Sequence, residues 1–189
     1  MACILIGAGG HAKAVVEAAI VTVGEIAAYV DPRPAGWLRA AHLAADADVK
    51  VTGIPVVIGM GGVTAAQLKA RLALLDSYLG RGHPAPAVVH PEAHVSASAR
   101  LESGAIVLAG AVVQPGAVIG RGAIVNTRAV VEHDSVIGEG SHVAPGAIVL
   151  GGCRVGCCAM IGAGAVVLPG VMVDDETLVP ALTRHGGKP

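Results

Sequence analysis

The chain has 189 residues, enough for one large domain or two small ones, and a formal net charge of −1. Aromatic residues make up 2% and Phe is absent, which argues against a nucleic-acid surface of basic stripes and stacking rings. Hydrophobic residues reach 53%, yet they are mostly Ala, Val and Ile interrupted by Gly, and no apolar run approaches the ~20 residues that a bilayer span needs.

The opening "MACILIGAGGHAK" carries no basic leader and reads as folded chain, so no signal peptide is expected. Its spacing predicts a strand, a glycine turn and a helix whose apolar positions are Val15, Val16, Ala19 and Ile20. A second strand, "EIAAYVD", ends at Asp31. "IPVVIGMGG" reads as a third strand and turn, and "TAAQLKARLALLDSYL" as an amphipathic helix. The stretch from Pro32 to Gly53 between them has no clear period. These elements predict a small α/β, Rossmann-like domain over residues 1–87, which ends at the Pro- and Gly-rich "GRGHPAPA".

Gly7, Gly9 and Ala12 match a dinucleotide-type G-x-G-x-x-A turn, and Asp31 stands about 20 residues on, where a ribose-binding acid belongs. Half of a doubly wound domain is too small for a full NAD site. Phosphates resting on the amino end of the first helix are the expected use. The competing reading is that the glycines only let a strand meet a helix. Cys3, Cys153, Cys157 and Cys158 fit neither a disulfide framework nor a zinc pattern, so free thiols in a reducing cytoplasm are expected.

From Val88 the chain falls into sixes, among them IVNTRA, VVEHDS, VIGEGS, HVAPGA and IVLGGC. The second position is Val, Leu or Ile in all sixteen units from Val89 to Val179, and the sixth is small or β-branched each time. One inward aliphatic residue per hexad, with a small residue to turn the corner, lets three successive hexads close one triangular coil. Stacked coils then pair as parallel strands about 4.8 Å apart. The prediction is a parallel β-helix over residues 88–183, followed by a tail at 184–189. The column Val88, Ile106, Ile124, His142, Met160, Leu178 is apolar but for one histidine, and its phase turns it outward. A contiguous apolar face of that kind predicts an interface, here a homotrimer about an axis parallel to the prisms.

A β-helix wall has no structural need for the polar cluster Asn126, Glu132, His133, Asp134. His133 and Gly151 stand three hexads apart, which stacks them in neighbouring coils on one face. An imidazole base and a backbone N–H then face the same space about 5 Å apart along the axis. Acyl transfer requires that pair, a general base beside an oxyanion donor. His133 and His142 lie half a coil apart on different faces, so they meet a common ligand only across a subunit boundary. His90 and His94 read as structural, and His42, His83 and His185 carry no signal.

"GAGGHAKAVVEAA", "VVHPEAHVS" and "NTRAVVEHDSVIGEGSHVAPGA", with the hexapeptide tail, resemble the NeuD/PglD-like bacterial sugar O- and N-acyltransferases over nearly the whole chain. The resemblance implies left-handed winding, a homotrimer with active sites between subunits, and acetyl-CoA as donor, with no metal. It implies a cytoplasmic enzyme that N-acetylates a nucleotide-linked amino-sugar, a 4-amino-sugar being favoured, in bacterial glycan biosynthesis. By the same resemblance His133 is the catalytic base and Asp134 the acid that supports it, although adjacent residues on a straight strand point apart, so the pair needs a local bend. Acetyl-CoA contacts fall on His142, Gly151, Ala163 and Ala181. Nucleotide-sugar contacts fall on Gly9, Gly10, His11, Asp31 and Gly59, with Asn126 beside them. Three departures from the family pattern stand out: "VIGMGGVTAAQ" replaces the usual "AIGDN"-type stretch, Pro32 replaces a second acid, and the ending is reduced to "LVPALTRHGGKP".

Three other readings compete. A sugar or sialic acid O-acetyltransferase would use the same site. A γ-carbonic-anhydrase-like hydratase would need zinc held by histidines such as His94, His133 and His142, which lack the expected close pair. A non-catalytic trimeric scaffold would leave the Glu-His-Asp cluster unexplained.

Overall fold

A computed structural model describes residues 2–187. The front unit runs β1 (Ala2–Ile6), α1 (Gly10–Thr22), β2 (Glu25–Val30), β3 (Ala41–Leu43), a short 3-10 turn (Asp46–Asp48), β4 (Val56–Ile58) and α2 (Ala65–Gly80). Its four strands form one parallel sheet in the order β3-β2-β1-β4. The three expected strands and both helices are present, and Pro32–Gly53 supplies the edge strand β3 and the 3-10 turn. On α1 the residues Val15, Val16 and Ala19 are buried as predicted, but Ile20 is 53% exposed. Thr64 caps α2 by accepting a hydrogen bond from the Gln67 amide.

From Val88 onward every hexad contributes one two-residue strand, and the sixteen expected strands are followed by another, Arg184–His185, within the segment expected as a tail. They stack into three parallel sheets in which each strand pairs with the one three hexads on, as in Ile124 with His142 and Val130 with Ile148. The second residue of each hexad points inward. Val107, Val125, Val131, Ile137, Val143 and Ile161 are fully buried, alternating with fully buried corner alanines such as Ala111, Ala129 and Ala147. Where Ser replaces Ala, at Ser135 and Ser141, the buried hydroxyl donates to the Leu150 and Gly156 carbonyls and accepts from the Cys153 and Ala159 amides. A polar atom in this narrow core is therefore fully bonded.

The outward column expected as a trimer interface is occupied within the chain. Val88, Ile106 and Ile124 are at most 1% exposed, His142 5% and Met160 8%; only Leu178, at 60%, stands free. Val88, Ile106 and Leu108 join the core of the front unit beneath α1, and Met160 packs with Ala144, Cys158 and Leu68 of α2. The column is apolar as its phase requires, but its partner is the chain's own first 87 residues rather than a second copy. Helix α2 also lies along one prism corner: a Cβ added at Gly104 or Gly122 would stand 2.8 or 2.9 Å from the Leu75 side chain, and one at Gly140 3.2 Å from Leu72. Three glycines spaced by one coil thus cut the groove that seats the helix.

Candidate active site

His133 and Asp134 sit at the corner after the strand Val130–Val131. Asp134 has φ +58°, the left-handed region, and this is the bend that turns its side chain back towards its neighbour. The His133 Nδ1 and Asp134 Oδ2 atoms are 2.9 Å apart, with both side chains well exposed. A carboxylate only accepts, so Nδ1 carries the proton and Nε2 keeps its lone pair. Gly116, one coil earlier, makes room for the acid: a Cβ there would stand 2.6 Å from Asp134 Oδ1. The repeat places Gly116 in register with Asp134, but nothing in the sequence predicts its role.

Gly151 lies one coil on from His133, as the period requires. A Cβ there would stand 2.6 Å from His133 Nε2 and 2.7 Å from Cε1, so the basic nitrogen rests against a residue without a side chain. The carbonyls on either side are engaged: His133 O accepts from Gly152 N, and Gly151 O from Gly170 N. The Gly151 N–H itself has no protein partner among the described residues. A base and an amide without a protein partner therefore stand against each other on adjacent coils of one corner.

His142 stands on a different sheet and is nearly enclosed. Asn126 Nδ2 donates to its Nε2 at 2.9 Å and Nδ1 donates to the Gly62 carbonyl at 2.8 Å, which fixes the same tautomer as in His133, with the proton on Nδ1. Both ring nitrogens are spent inside the chain, tying the prism to the loop after β4. Burial lowers the pKa of His142, with the nearby Arg71 adding to the effect. Asn126, expected near substrate, is thereby a partner of His142; its own Oδ1 accepts from the Thr127 amide at 2.7 Å. Ala163 and Ala181 are exposed and stacked on one corner, where Ala163 O accepts from Leu182 N. That corner follows the sheet of His142, whereas Gly151 and His133 follow the next sheet.

The front unit holds an open cleft of about 620 Å³ at the carboxyl ends of its strands. All five front residues singled out in the sequence, Gly9, Gly10, His11, Asp31 and Gly59, line it. Cβ atoms at Gly9 or Gly10 would meet nothing within 4 Å, so the amino end of α1 faces free space. Gly59 serves packing as well, since a Cβ there would strike the Gly7 carbonyl and stand 2.9 Å from Ala12 Cβ. Asp31 accepts from the Ala8 amide at 2.9 Å and the Arg33 amide at 3.0 Å. The Ala8 bond is the main reason its pKa lies below the usual carboxylate value.

His11 joins cleft to prism. Its ring centroid is 6.3 Å from that of His142, and burial, aided by His142 and Arg71, lowers its pKa to about 4. Arg71 was not predicted. Its guanidinium is fully buried, donating from Nε to the Met60 carbonyl at 2.8 Å and from Nη1 to the Gly122 carbonyl, and burial lowers its pKa to about 10. Among the described residues no group of three or more His, Cys, Asp or Glu is placed to hold a metal ion.

The family model for the bacterial transferase hexapeptide, six repeats, matches residues 116–151. No curated protein sequence matches the chain. Among solved structures, the acetyltransferase domain of PglB from Neisseria gonorrhoeae FA1090 is 30% identical, with a TM-score of 0.88 over 97% of this chain and 90% of that one. PerB from Caulobacter crescentus, solved with CoA and GDP-perosamine, is 32% identical with a TM-score of 0.86, covering 97% of this chain and 88% of that one. The chain belongs to this family of bacterial sugar acetyltransferases. The same PglB domain solved with acetyl coenzyme A is 31% identical over 96% of this chain and 88% of that one, with a TM-score of 0.86. Membership in the family makes the protein an acyltransferase and accounts for a prism and a Rossmann-like unit in one chain.

Proposed function

We propose that this acetyltransferase moves an acetyl group from acetyl-CoA to the amine of a nucleotide-linked amino-sugar, a 4-amino-sugar being favoured, with His133 as general base. The observation that carries the reading is the meeting of His133 Nε2 with Gly151, whose N–H has no protein partner among the described residues, while Asp134 holds Nδ1. The acceptor amine attacks the thioester carbonyl and gives its proton to His133 Nε2. The Gly151 N–H bonds the tetrahedral oxyanion. Its collapse breaks the C–S bond and releases CoA as thiolate, which recovers the proton. A positioned base contributes about 10²–10⁴ in rate and one oxyanion donor about 10²–10³.

The nucleotide diphosphate rests on the amino end of α1, with its ribose near Asp31, and the acetyl donor runs along the corner of Ala163 and Ala181. In one chain that corner and the His133 corner belong to different edges of the prism, so the complete site lies between neighbouring copies. The homotrimer is supported by a second outward column, Val112, Val130, Ile148 and Val166, which is half-buried and lies on the sheet that leads to His133. The cytoplasm, where both cosubstrates are made, is the proposed compartment. No helix among the described residues is long and apolar enough to cross a membrane.

The test is CoA thiol release from acetyl-CoA against UDP-, GDP- and dTDP-linked amino-sugars and free sialic acid, wild type beside His133→Ala. Turnover of a nucleotide amino-sugar that falls by roughly 10²-fold or more in the variant is expected. Activity on sialic acid alone, or a variant within about threefold of wild type, would refute the assignment.

A further inference from the structure

We propose that Asp46 reads the base of the bound nucleotide and selects guanine. The inference rests on the use of the front cleft proposed above and deepens it, because nothing in the dinucleotide-type turn distinguishes one base from another.

The order of the sheet lays out the cleft. Its walls are the loops that follow β1, β2, β3 and β4, and the first three lie side by side across the sheet. Gly9 and Gly10 follow β1 and open on free space; Asp31 follows β2; Ala44, Ala45 and Asp46 follow β3. Strand spacing puts the β3 loop about 10 Å across from the β1 loop. A nucleotide with its phosphates on the amino end of α1 and its ribose at Asp31 extends its base towards Asp46.

The carboxylate is held rather than loose. Tyr78 Oη donates to Asp46 Oδ1 at 2.5 Å, leaving Oδ2 and the second lone pair of Oδ1 for a ligand. Arg81 Nη2 donates to the carbonyls of Asp46 at 3.3 Å and Val49 at 2.9 Å, so two side chains from the end of α2 fix this wall. Among the described residues that line the cleft, Asp31 and Asp46 are the only charged ones, and Asp31 already accepts two backbone amides. Asp46 is thus the acceptor pair available for base recognition.

An ionised carboxylate accepts and does not donate. Guanine presents N1–H and N2–H side by side on its Watson–Crick edge, a two-donor fork that matches a carboxylate. Uracil and thymine present one N–H flanked by two carbonyl oxygens, which a carboxylate repels. Adenine places a ring acceptor beside its single amino donor. Guanine is the base whose edge satisfies the carboxylate with two parallel bonds.

The test is calorimetric titration of the full chain with GDP, UDP, dTDP and ADP, for wild type and Asp46→Asn. Wild type is expected to bind GDP at least about tenfold more tightly than the other three, the size of one charge-assisted hydrogen bond. Asp46→Asn, whose amide sets a donor beside an acceptor as the uracil edge requires, is expected to lose that preference and to bind UDP at least as tightly as wild type does. The wild-type ranking stands as a test even if the variant does not fold. A preference for another base, or a GDP preference that survives in Asp46→Asn, overturns the assignment of Asp46 and leaves the cleft reading intact. Failure of all four nucleotides to bind overturns the cleft reading and this inference together.

Discussion

His133 would be one more solvated histidine but for three neighbours. Asp134 reaches its ring only because it adopts φ +58°, Gly116 makes space for that carboxylate, and Gly151 lets the ring settle on a bare backbone. Each neighbour makes a distinct prediction. Gly151→Ala places a methyl 2.6 Å from Nε2 and swings the base off the amide, so kcat in the thiol-release assay should fall by roughly 10²-fold or more. The melting temperature should hardly move, because the methyl meets an exposed ring. Asp134→Asn keeps the shape but no longer enforces a proton on Nδ1, and kcat should drop by about 10²–10⁴ without loss of nucleotide affinity. The His133–Gly151 pairing was legible from an interval of three hexads, whereas Gly116 was hidden because it looks like every other corner glycine.

His11 carries a different prediction at the same scale. Its folded-state pKa, about 4, lies below the usual 6.5, so the unfolded chain binds a proton that the folded chain refuses. The sign follows: its contribution to stability is whole above pH 6.5 and is lost as pH falls towards 4. The slope for this one group is at most about 1.4 kcal/mol per pH unit. His142 is shifted the same way. Urea titrations between pH 4 and 7 should show a shallower acid loss for His11→Gln than for wild type, and equal slopes would refute the buried, neutral ring.

Among the elements, α2 shows why the sequence yields its period and conceals its partner. Its buried positions are Leu68, Arg71, Leu75 and Tyr78, a helical stripe that includes an arginine. Position 71 falls on that stripe by its spacing although its charge suits the polar side, and packing places the guanidinium between the Met60 and Gly122 carbonyls. The glycine groove beneath the helix gives a paired test. Gly122→Ala combines a left-handed backbone with a clash on Leu75 and should cost about 2–4 kcal/mol in chemical denaturation. Gly146→Ala shares the backbone, with nothing within 4 Å of the new methyl, and should cost about 1–2 kcal/mol. Equal costs would mean that the helix does not use the groove. The edge strand β3 escaped the sequence reading because three residues are too few to show alternation.

On the scale of the whole molecule, the sixteenfold repeat declared the prism, and the strand, glycine turn and helix of the opening segment declared the Rossmann-like unit ahead of it. What it could not declare was the pairing of surfaces. A hexapeptide prism has three outer faces, and a period shows that a column is apolar without saying what covers it. The column through His142 is covered by the front unit, and the column of Val112, Val130, Ile148 and Val166 is the one proposed above to meet other copies. Ile148→Arg puts a charge in the middle of that second column. Sedimentation equilibrium should show a trimer for wild type and a monomer for the variant, with activity lost alongside. A wild-type monomer with full turnover would refute a site shared between copies.

The three-hexad coil also sets which changes of length this chain can tolerate. Removing a single hexad ahead of His133 would carry the imidazole a third of a revolution around the shaft, onto an edge with different neighbours. Loss of a full coil keeps its heading and only shortens the shaft by one strand spacing. Lineages descended from this sequence should therefore gain or lose prism residues in complete coils, with any other insertion looped out at a corner.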